Sequence, residues 1–139
     1  MLHVAHFVGP SAIAGVGLFA GEAIAEGQLL YSCDPQTLIV LEESRLALMP
    51  PNVRDSWLRY CYRGRGAHRL VGAYYYCTDD ARFFNHASQP NCRWQPDQET
   101  YVAACDIPAG TELTCNYFDF CEPEDVPYLA DATVLSSAF

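Results

Sequence analysis

The chain has 139 residues, of which 50% are hydrophobic and 13% aromatic, and its 17 acidic and 8 basic residues give a formal net charge of -9. This length predicts one domain with a substantial core, and the apolar content argues against a disordered acidic protein. All eight basic residues are arginine, and a chain this acidic lacks the clustered cations of a general nucleic-acid binder, so a basic partner is expected.

The charge is unevenly distributed along the chain. Arg93 is the last basic residue, and residues 94–139 contain nine acidic residues. Two interpretations of this acidic half stay open. It forms a solvated face that keeps the protein soluble, or it forms a negatively charged surface that attracts a basic partner.

Short β-prone segments separated by glycine turns make up most of the chain. The predicted strands are 16–19, 28–31, 38–41, 74–77, 101–104 and 113–117. Residues 42–62 differ, because apolar side chains recur there at helical spacing on both sides of a break at Pro50 and Pro51. Pro51 suits the first turn of the second helix. The sequence therefore predicts a mainly β domain with one helical insert, followed by a polar loop over residues 63–69.

The seven cysteines form no Cys-x-x-Cys pair, and no two histidines have the spacing of zinc ligands. This pattern predicts reduced thiols in a cytoplasmic protein and no metal site. Residues 1–21 are uncharged, but they lack a basic start, and Gly9, Pro10, Gly15 and Gly17 interrupt any apolar helix. A secretory signal peptide is therefore not expected. Without an apolar run of about 18 residues, no membrane span is predicted.

Three segments contain residues that could bind a ligand or carry chemistry. Residues 15–20 read GVGLFA, and two glycines let backbone groups approach a ligand closely, although a plain hairpin turn explains them too. Residues 82–92 read RFFNHASQPNC, with an asparagine and a histidine directly after two aromatic residues. Such polar groups need hydrogen-bond partners, either in a structural network or in a site. Residues 106–118 read DIPAGTELTCNYF, a turn and then a strand that ends in Tyr117.

In this order and spacing, the three segments resemble the motifs of the SET-domain protein lysine methyltransferases. The matching patterns are Gly-x-Gly-Leu-Phe, Arg-Phe-x-Asn-His and Gly-Thr-Glu-Leu-Thr-x-Asn-Tyr. The resemblance runs from about Val4 to Phe120 and is to the minimal SET domains of bacteria and viruses, because no cysteine-rich zinc module adjoins it.

The resemblance implies a mainly β, β-clip-like SET-domain fold of small curved sheets, with a knot-like crossing of the C-terminal segment and a short helical insert. It further implies a SET domain over residues 1–121, with the insert at about 42–66, and a C-terminal tail over residues 122–139.

The resemblance implies S-adenosyl-L-methionine as the cofactor and a lysine in a protein as the methyl acceptor. The residues implied to bind the cofactor are Gly15, Val16 and Gly17 through backbone groups, Asn85, His86 and, with less support, Arg82. The alternative for Arg82 is a structural arginine paired with Asp79, Asp80 or Asp106.

Tyr117 is at the family position whose hydroxyl is directed toward the methyl-transfer centre, so the resemblance makes it the catalytic residue. The residues implied to line the lysine channel are Tyr31, Tyr74, Cys115, Phe118 and Phe120, with ordinary core packing as the alternative for the two phenylalanines. Family members normally have Phe or Tyr two residues before the catalytic tyrosine. Cys115 is smaller and leaves room for more than one methyl group, unless Tyr31 or Phe120 refills the space.

Two other functions stay open as alternatives. One is a SET-like module that has lost turnover and binds basic peptides through the acidic C-terminal half. The other is a hydrolase using His86, Ser88 and an aspartate, which is disfavoured because the sequence has no nucleophile elbow or oxyanion-hole motif. Minimal SET domains can dimerise to complete the substrate groove, so a homodimer is an open expectation. Because the chain contains no lysine, none of its own side chains can be the substrate.

Overall fold

The structure, a computed structural model, describes residues 1–129, and this part of the chain is mainly β, as predicted. The strands are β1 (His6–Pro10), β2 (Val16–Ala20), β3 (Leu29–Ser32), β4 (Leu38–Glu42), β5 (Cys61–Tyr62), β6 (Ala73–Cys77), β7 (Asn85–His86), β8 (Cys92–Gln95), β9 (Thr100–Ala103) and β10 (Glu112–Cys115). Two helices are α1 (Glu43–Leu46) and α2 (Pro51–Leu58), and residues 127–129 are also helical. Short 3₁₀ turns are Gly66–His68, Asp80–Phe83, Tyr117–Asp119 and Pro123–Asp125. Both α1 and α2 lie inside the stretch with helical periodicity.

The first of two compact units comprises Met1–Ile39 and Tyr76–Asn116. It contains a four-stranded sheet in the order β1-β2-β10-β7 and a three-stranded sheet in the order β3-β9-β8. An isolated antiparallel bridge also joins Ile24 to Ile107. The most deeply buried apolar side chains of this unit include Leu18, Ile24, Leu30, Ile107 and Leu113. Removal of these side chains from water supplies the main stabilisation of the unit.

The strand β10 brings the three sequence motifs side by side. It pairs antiparallel with β2, where Leu113 lies opposite Leu18. On its other edge it pairs parallel with β7, where Thr114 lies opposite Asn85 and Cys115 lies opposite His86. Since β2 belongs to the glycine motif and β7 to the Asn-His motif, segments that are far apart in the sequence occupy adjacent strands.

The strand β10 ends at Cys115, so the prediction that it extends to Tyr117 is wrong. The Cys115 carbonyl accepts a hydrogen bond from Ala87 N–H (3.0 Å). Tyr117 begins a 3₁₀ turn, and its carbonyl accepts from the N–H groups of Phe120 (3.2 Å) and Cys121 (2.8 Å). These local hydrogen bonds satisfy the carbonyl that a longer strand would need for pairing.

The second unit comprises Val40–Tyr75 and, within the described part of the chain, residues 117–129. It contains α1, α2 and a three-stranded sheet in the order β4-β6-β5; the unit boundary falls within β4 and β6. As the sequence predicts, α2 begins at Pro51, where the missing proline N–H costs no helical hydrogen bond. Neither this unit nor the rest of residues 1–129 contains a helix long and apolar enough to cross a membrane.

Candidate active site

The buried amide of Asn85 binds the glycine-bearing loop that precedes β2. Asn85 Nδ2 lies 3.1 Å from each of three oxygens, Ser11 Oγ, Ala14 O and Val16 O, and 2.8 Å from Glu112 Oε1. Because four oxygens surround this nitrogen, the amide is oriented with its NH₂ group toward the loop. The side chain thus connects the Asn-His motif to both the glycine motif and β10.

The two glycines of the first motif serve different purposes. Gly15 has a φ of +49°, a backbone conformation that favours glycine, and a Cβ there would meet nothing within 4 Å. Gly17 is buried, and a Cβ there would lie 2.8 Å from Glu112 Cδ, closer still to Glu112 Oε1, and 3.1 Å from Ser11 Cβ. Gly15 therefore shapes the loop, whereas Gly17 leaves room for the Glu112 carboxylate.

Ser11 and Glu112 are functional candidates that the sequence did not reveal. Ser11 Oγ donates to the Glu112 carboxylate, with its two oxygens at 2.8 and 2.9 Å, and accepts from Ile13 N–H at 2.9 Å. Glu112 lies within the third motif, but that motif was interpreted as a whole, and nothing in the sequence marked Glu112 itself as a functional residue. The pairing of Ser11 with Glu112 joins residues too far apart for any spacing rule to find.

Asn91 is a third residue that the sequence did not reveal as a functional candidate. Its side chain imitates a strand beside β10, since Asn91 Oδ1 accepts from Thr114 N–H (2.9 Å) and Asn91 Nδ2 donates to Glu112 O (2.8 Å). This clamp fixes the backbone of Glu112, whose side chain binds Ser11 and Asn85. The only sequence feature that could have pointed to Asn91 is its place within the Asn-His motif; its role in positioning β10 is visible only in the structure.

Arg82 contacts groups that are close to it in the sequence. Its Nη1 donates to the carbonyls of Thr78 (3.2 Å) and Asp79 (2.9 Å), and its guanidinium lies 4.4 Å from the centroid of the Phe83 ring. The sequence-based alternative was an ion pair with a carboxylate. The observed acceptors are backbone carbonyls, so Arg82 stabilises the turn that leads into β7.

Two residues predicted to line the lysine channel lie in different sheets of the first unit. Tyr31 is 8% exposed in β3, with its ring centroid 6.4 Å from that of Tyr101. Cys115 is 1% exposed in β10, opposite His86. Tyr31 therefore belongs to an aromatic contact between neighbouring strands, and Cys115 belongs to the sheet that carries the three motifs.

In the second unit, the predicted catalytic tyrosine is part of an aromatic cluster. The ring centroid of Phe120 lies 5.6 Å from that of Tyr117 and 5.0 Å from that of Tyr62, and the Tyr62 centroid lies 5.3 Å from that of Tyr75. Tyr62 and Tyr75 were not predicted, because short strands in an insert give no pattern that identifies which face is inward. We call Tyr62, Tyr75, Tyr117 and Phe120 the aromatic cluster.

Tyr74 has a different environment from its neighbour Tyr75. The Arg63 guanidinium lies 4.1 Å from the centroid of the Tyr74 ring and donates to the Tyr74 hydroxyl (2.7 Å) and to the Glu43 carboxylate. The pKa of Arg63 is raised, mainly because Glu43 accepts this hydrogen bond. Arg63 therefore holds Tyr74 by both its ring and its hydroxyl.

Arginines of the loop after β5 hold the segment that contains Phe118. Arg65 donates to the Phe118 carbonyl. Arg69 makes two hydrogen bonds to the Asp125 carboxylate, at 2.6 and 3.2 Å. The hydrogen bond from Arg69 lowers the pKa of Asp125, and the same bond raises the pKa of Arg69. The Phe118 backbone is thus held by a charge-assisted hydrogen bond, and Asp125, later in the same segment, is held by an ion pair.

The thiols and the acidic side chains do not assemble a metal centre in the described residues. Among residues 1–129, no group of three or more His, Cys, Asp or Glu side chains could hold a metal ion. All seven cysteines are free thiols. Burial raises the pKa of both Cys92 and Cys121 to about 12, so these thiols are protonated at neutral pH and act as packing groups.

Solved structures with a similar fold include a candidate histone methyltransferase and Polycomb Repressive Complex 2. A candidate histone methyltransferase of Plasmodium falciparum superposes with a TM-score of 0.52 at 17% identity, covering 84% of this chain and 95% of that chain. Polycomb Repressive Complex 2 of Chaetomium thermophilum, bound to S-adenosylmethionine, superposes with a TM-score of 0.58 at 22% identity, covering 93% of this chain and 17% of that chain. At these identities the similarity establishes the fold.

Sequence relatives point to the same family. The H3 lysine-36 specific histone-lysine N-methyltransferases of Mus musculus and Homo sapiens are 54% identical over 43 residues, which is 27% of this chain and 2% of each relative. The histone-lysine N-methyltransferase NSD3 of Mus musculus is 49% identical over 43 residues, 27% of this chain and 3% of that protein. The chain thus spans only a small part of the length of these relatives. The SET-domain family model matches residues 15–118, and the chain therefore belongs to the SET-domain family.

Proposed function

We propose that this chain transfers a methyl group from S-adenosylmethionine to the side-chain amine of a lysine in a protein. The observation that carries the proposal is the convergence of the three motifs on β2, β10 and β7, with Asn85 bound to the loop before β2. Its support is membership of the SET-domain family and similarity to proteins named as histone-lysine N-methyltransferases.

The residues of the loop fit the amino-acid end of S-adenosylmethionine. That end carries an ammonium group, which needs hydrogen-bond acceptors, and the loop presents the carbonyls of Ala14 and Val16 beside the Glu112 carboxylate. Gly15 contributes open space, since nothing lies within 4 Å of where its Cβ would be. We assign Gly15, Val16, Gly17, Asn85 and His86 to cofactor binding, with Arg82 stabilising the turn before β7. When bound, the cofactor supplies the methyl group from its sulfonium centre.

The aromatic cluster fits the acceptor amine. A lysine amine has an ordinary pKa of about 10.4 and must lose its proton before it can accept a methyl group. Apolar ring surfaces such as those of Tyr62 and Phe120 disfavour the charged ammonium and so lower its pKa. In this proposal Tyr117 orients the neutral amine through its hydroxyl. A phenol with an ordinary pKa of about 10 stays protonated at neutral pH, so orientation is a better role for it than general base.

The decisive experiment replaces Tyr117 by phenylalanine. We expect turnover to fall by about tenfold or more, because the orienting hydroxyl is lost, while calorimetry shows little change in S-adenosylmethionine affinity. Tyr128→Phe is the matched control, since it removes the hydroxyl of a largely exposed tyrosine. Near-normal turnover of Tyr117→Phe would contradict the assignment. Binding of basic peptides without any binding of S-adenosylmethionine would instead favour a module without turnover.

The proposed substrate is a basic, lysine-containing segment of a protein. Histone H3 is the first substrate to try, because relatives of this chain are named for lysine 36 of that histone. Labelled S-adenosylmethionine added to a cell lysate would identify other acceptors. Because this chain contains no lysine, label on the purified protein would come from a tag or a contaminant. A cytoplasmic location and a homodimer complete the proposal; fractionation and sedimentation would test them.

A further inference from the structure

We propose that the Glu112 carboxylate is the counter-charge for the ammonium group of S-adenosylmethionine, an inference that rests on the proposed function. Glu112 is the first residue of β10, next to the paired strand β2. Its carboxylate reaches back to the loop before β2, where it accepts from Ser11 Oγ (2.8 and 2.9 Å) and Asn85 Nδ2 (2.8 Å). The carboxylate is therefore part of the loop's acceptor group.

Hydrogen-bond donors are in short supply around this group. The Asn85 amide has two N–H hydrogens, yet four oxygens lie within 3.1 Å of its nitrogen. Ser11 has one hydroxyl hydrogen, which points to Glu112, because Ser11 Oγ itself accepts from Ile13 N–H. The carbonyls of Ala14 and Val16 and the Glu112 carboxylate thus share too few hydrogens. An ammonium group brings three N–H donors to these oxygens.

The charge around Glu112 is also unbalanced. Arginine ion pairs in the described residues include those with Glu43, Asp55, Glu122, Glu124 and Asp125. Within residues 1–129, no cationic side chain forms an ion pair with Glu112, whose partners are a neutral hydroxyl and a neutral amide. A partly buried carboxylate without a cation attracts one, and the interaction is stronger there than in bulk water.

Replacing Glu112 by glutamine tests the effect of the negative charge separately from the hydrogen bonds that hold the loop. Glu112→Gln keeps the side-chain length and one oxygen that can accept from Ser11 and Asn85, but it removes the negative charge. We compare two ligands by calorimetry. S-adenosylhomocysteine carries the ammonium group, whereas 5′-methylthioadenosine lacks the whole amino-acid end. Asp97→Asn is the matched control, because it removes one exposed charge outside the loop.

We expect Glu112→Gln to weaken S-adenosylhomocysteine binding about tenfold or more, with 5′-methylthioadenosine affinity unchanged. Unchanged S-adenosylhomocysteine affinity in this variant would overturn the inference while leaving the proposed function intact. Equal losses for both ligands would also overturn it, because they would show a general disturbance of the site. Failure of the wild-type protein to bind either ligand would overturn both the inference and the proposed function.

A second ligand pair keeps the proposal testable on the wild-type protein even if Glu112→Gln does not fold. We compare S-adenosylhomocysteine with its analogue that lacks only the amino group. We expect the analogue to bind about tenfold or more weakly, because it brings no positive charge to the Glu112 carboxylate. Equal affinities of the two ligands would overturn the proposal, because the ammonium group would then contribute nothing at this carboxylate.

Discussion

Replacing Gly17 by alanine would put a methyl group where the Glu112 carboxylate now lies. The added Cβ would be 2.8 Å from Glu112 Cδ and 3.1 Å from Ser11 Cβ. Real Cβ atoms essentially never approach another carbon atom to 2.8 Å, so the carboxylate must move, whereas the contact with Ser11 Cβ is tight but possible. Gly17 has no positive φ, so the backbone itself would accept an alanine. Most of the cost therefore comes from displacing Glu112, and a smaller part comes from the tight contact with Ser11 Cβ.

The expected magnitude follows from the bonds that the displacement breaks. A hydrogen bond to a charged group contributes about 1.5–3 kcal/mol, and Glu112 accepts such bonds from Ser11 and Asn85. Part of this loss is offset, because the displaced carboxylate gains water and alanine restricts the unfolded chain by about 0.4–1 kcal/mol relative to glycine. We expect a net loss of about 1–2 kcal/mol, seen as a fall in Tm of about 3–8 °C.

The assay is thermal unfolding followed by circular dichroism, arranged as a double-mutant cycle with Glu112→Ala. Without the carboxylate, only the contact with Ser11 Cβ remains, so most of the cost of alanine at position 17 should disappear and the coupling should reach about 1 kcal/mol. Gly9→Ala is the matched control. Gly9 pairs with Gly17 across β1 and β2, but its added Cβ would meet only the Phe19 ring at 3.8 Å. The reasoning is refuted if Gly17→Ala costs as much in the Glu112→Ala background as in the wild type.

Three further predictions concern pH, thiol reactivity and product. Asp125→Asn should lower Tm at neutral pH. Arg69 holds the pKa of Asp125 below its ordinary value of about 3.9, so the difference in Tm between wild type and variant should shrink as the pH falls below about 4. A difference in Tm that is unchanged at about pH 2 would contradict this. Iodoacetamide at about pH 8 should modify the exposed Cys105 readily, as read by mass spectrometry. It should modify Cys92 only after unfolding, because burial raises the pKa of that thiol to about 12. The small Cys115 leads us to expect dimethyl or trimethyl product, and only monomethyl product after long incubation would count against that role.

Most of the longer strands could be predicted from their runs of β-prone residues, but β8 could not, and neither could β1. It pairs with β2 along its whole length, from His6 opposite Ala20 to Pro10 opposite Val16. β1 is an edge strand, and Phe7 is half exposed, so it lacks the alternation of apolar and polar residues that marks a half-buried strand. Two-residue strands such as β5 and β7 are likewise too short to show any period.

The candidate site was predictable where the chemistry lies within one motif and not where it depends on distant partners. Asn85 stood out because a polar residue after two phenylalanines needs hydrogen-bond partners. The partners themselves, Ser11 and Glu112, follow only from the pairing of β10 with β2 and β7. Tyr62 was equally hidden, because its contact with Phe120 depends on how the insert folds against the later segment of its own unit. The spacing of motifs predicts where a site lies, but the residues that contact one another inside it are known only from the folded structure.

Ion pairs within the second unit limit which acidic residues of the C-terminal half could attract a basic partner. Arg65 lies 4.0 Å from the Glu122 carboxylate, and Arg69 pairs with Asp125, so part of the negative charge is neutralised within the second unit. Charge reversal at these acids would destabilise the fold and would not report on docking alone. A surface that attracts a basic substrate must instead use acids outside such pairs, and the exposed Asp97 is one of them. Substrate affinity that falls on reversal at Asp97, with Tm unchanged, would separate attraction of the partner from stability of the domain.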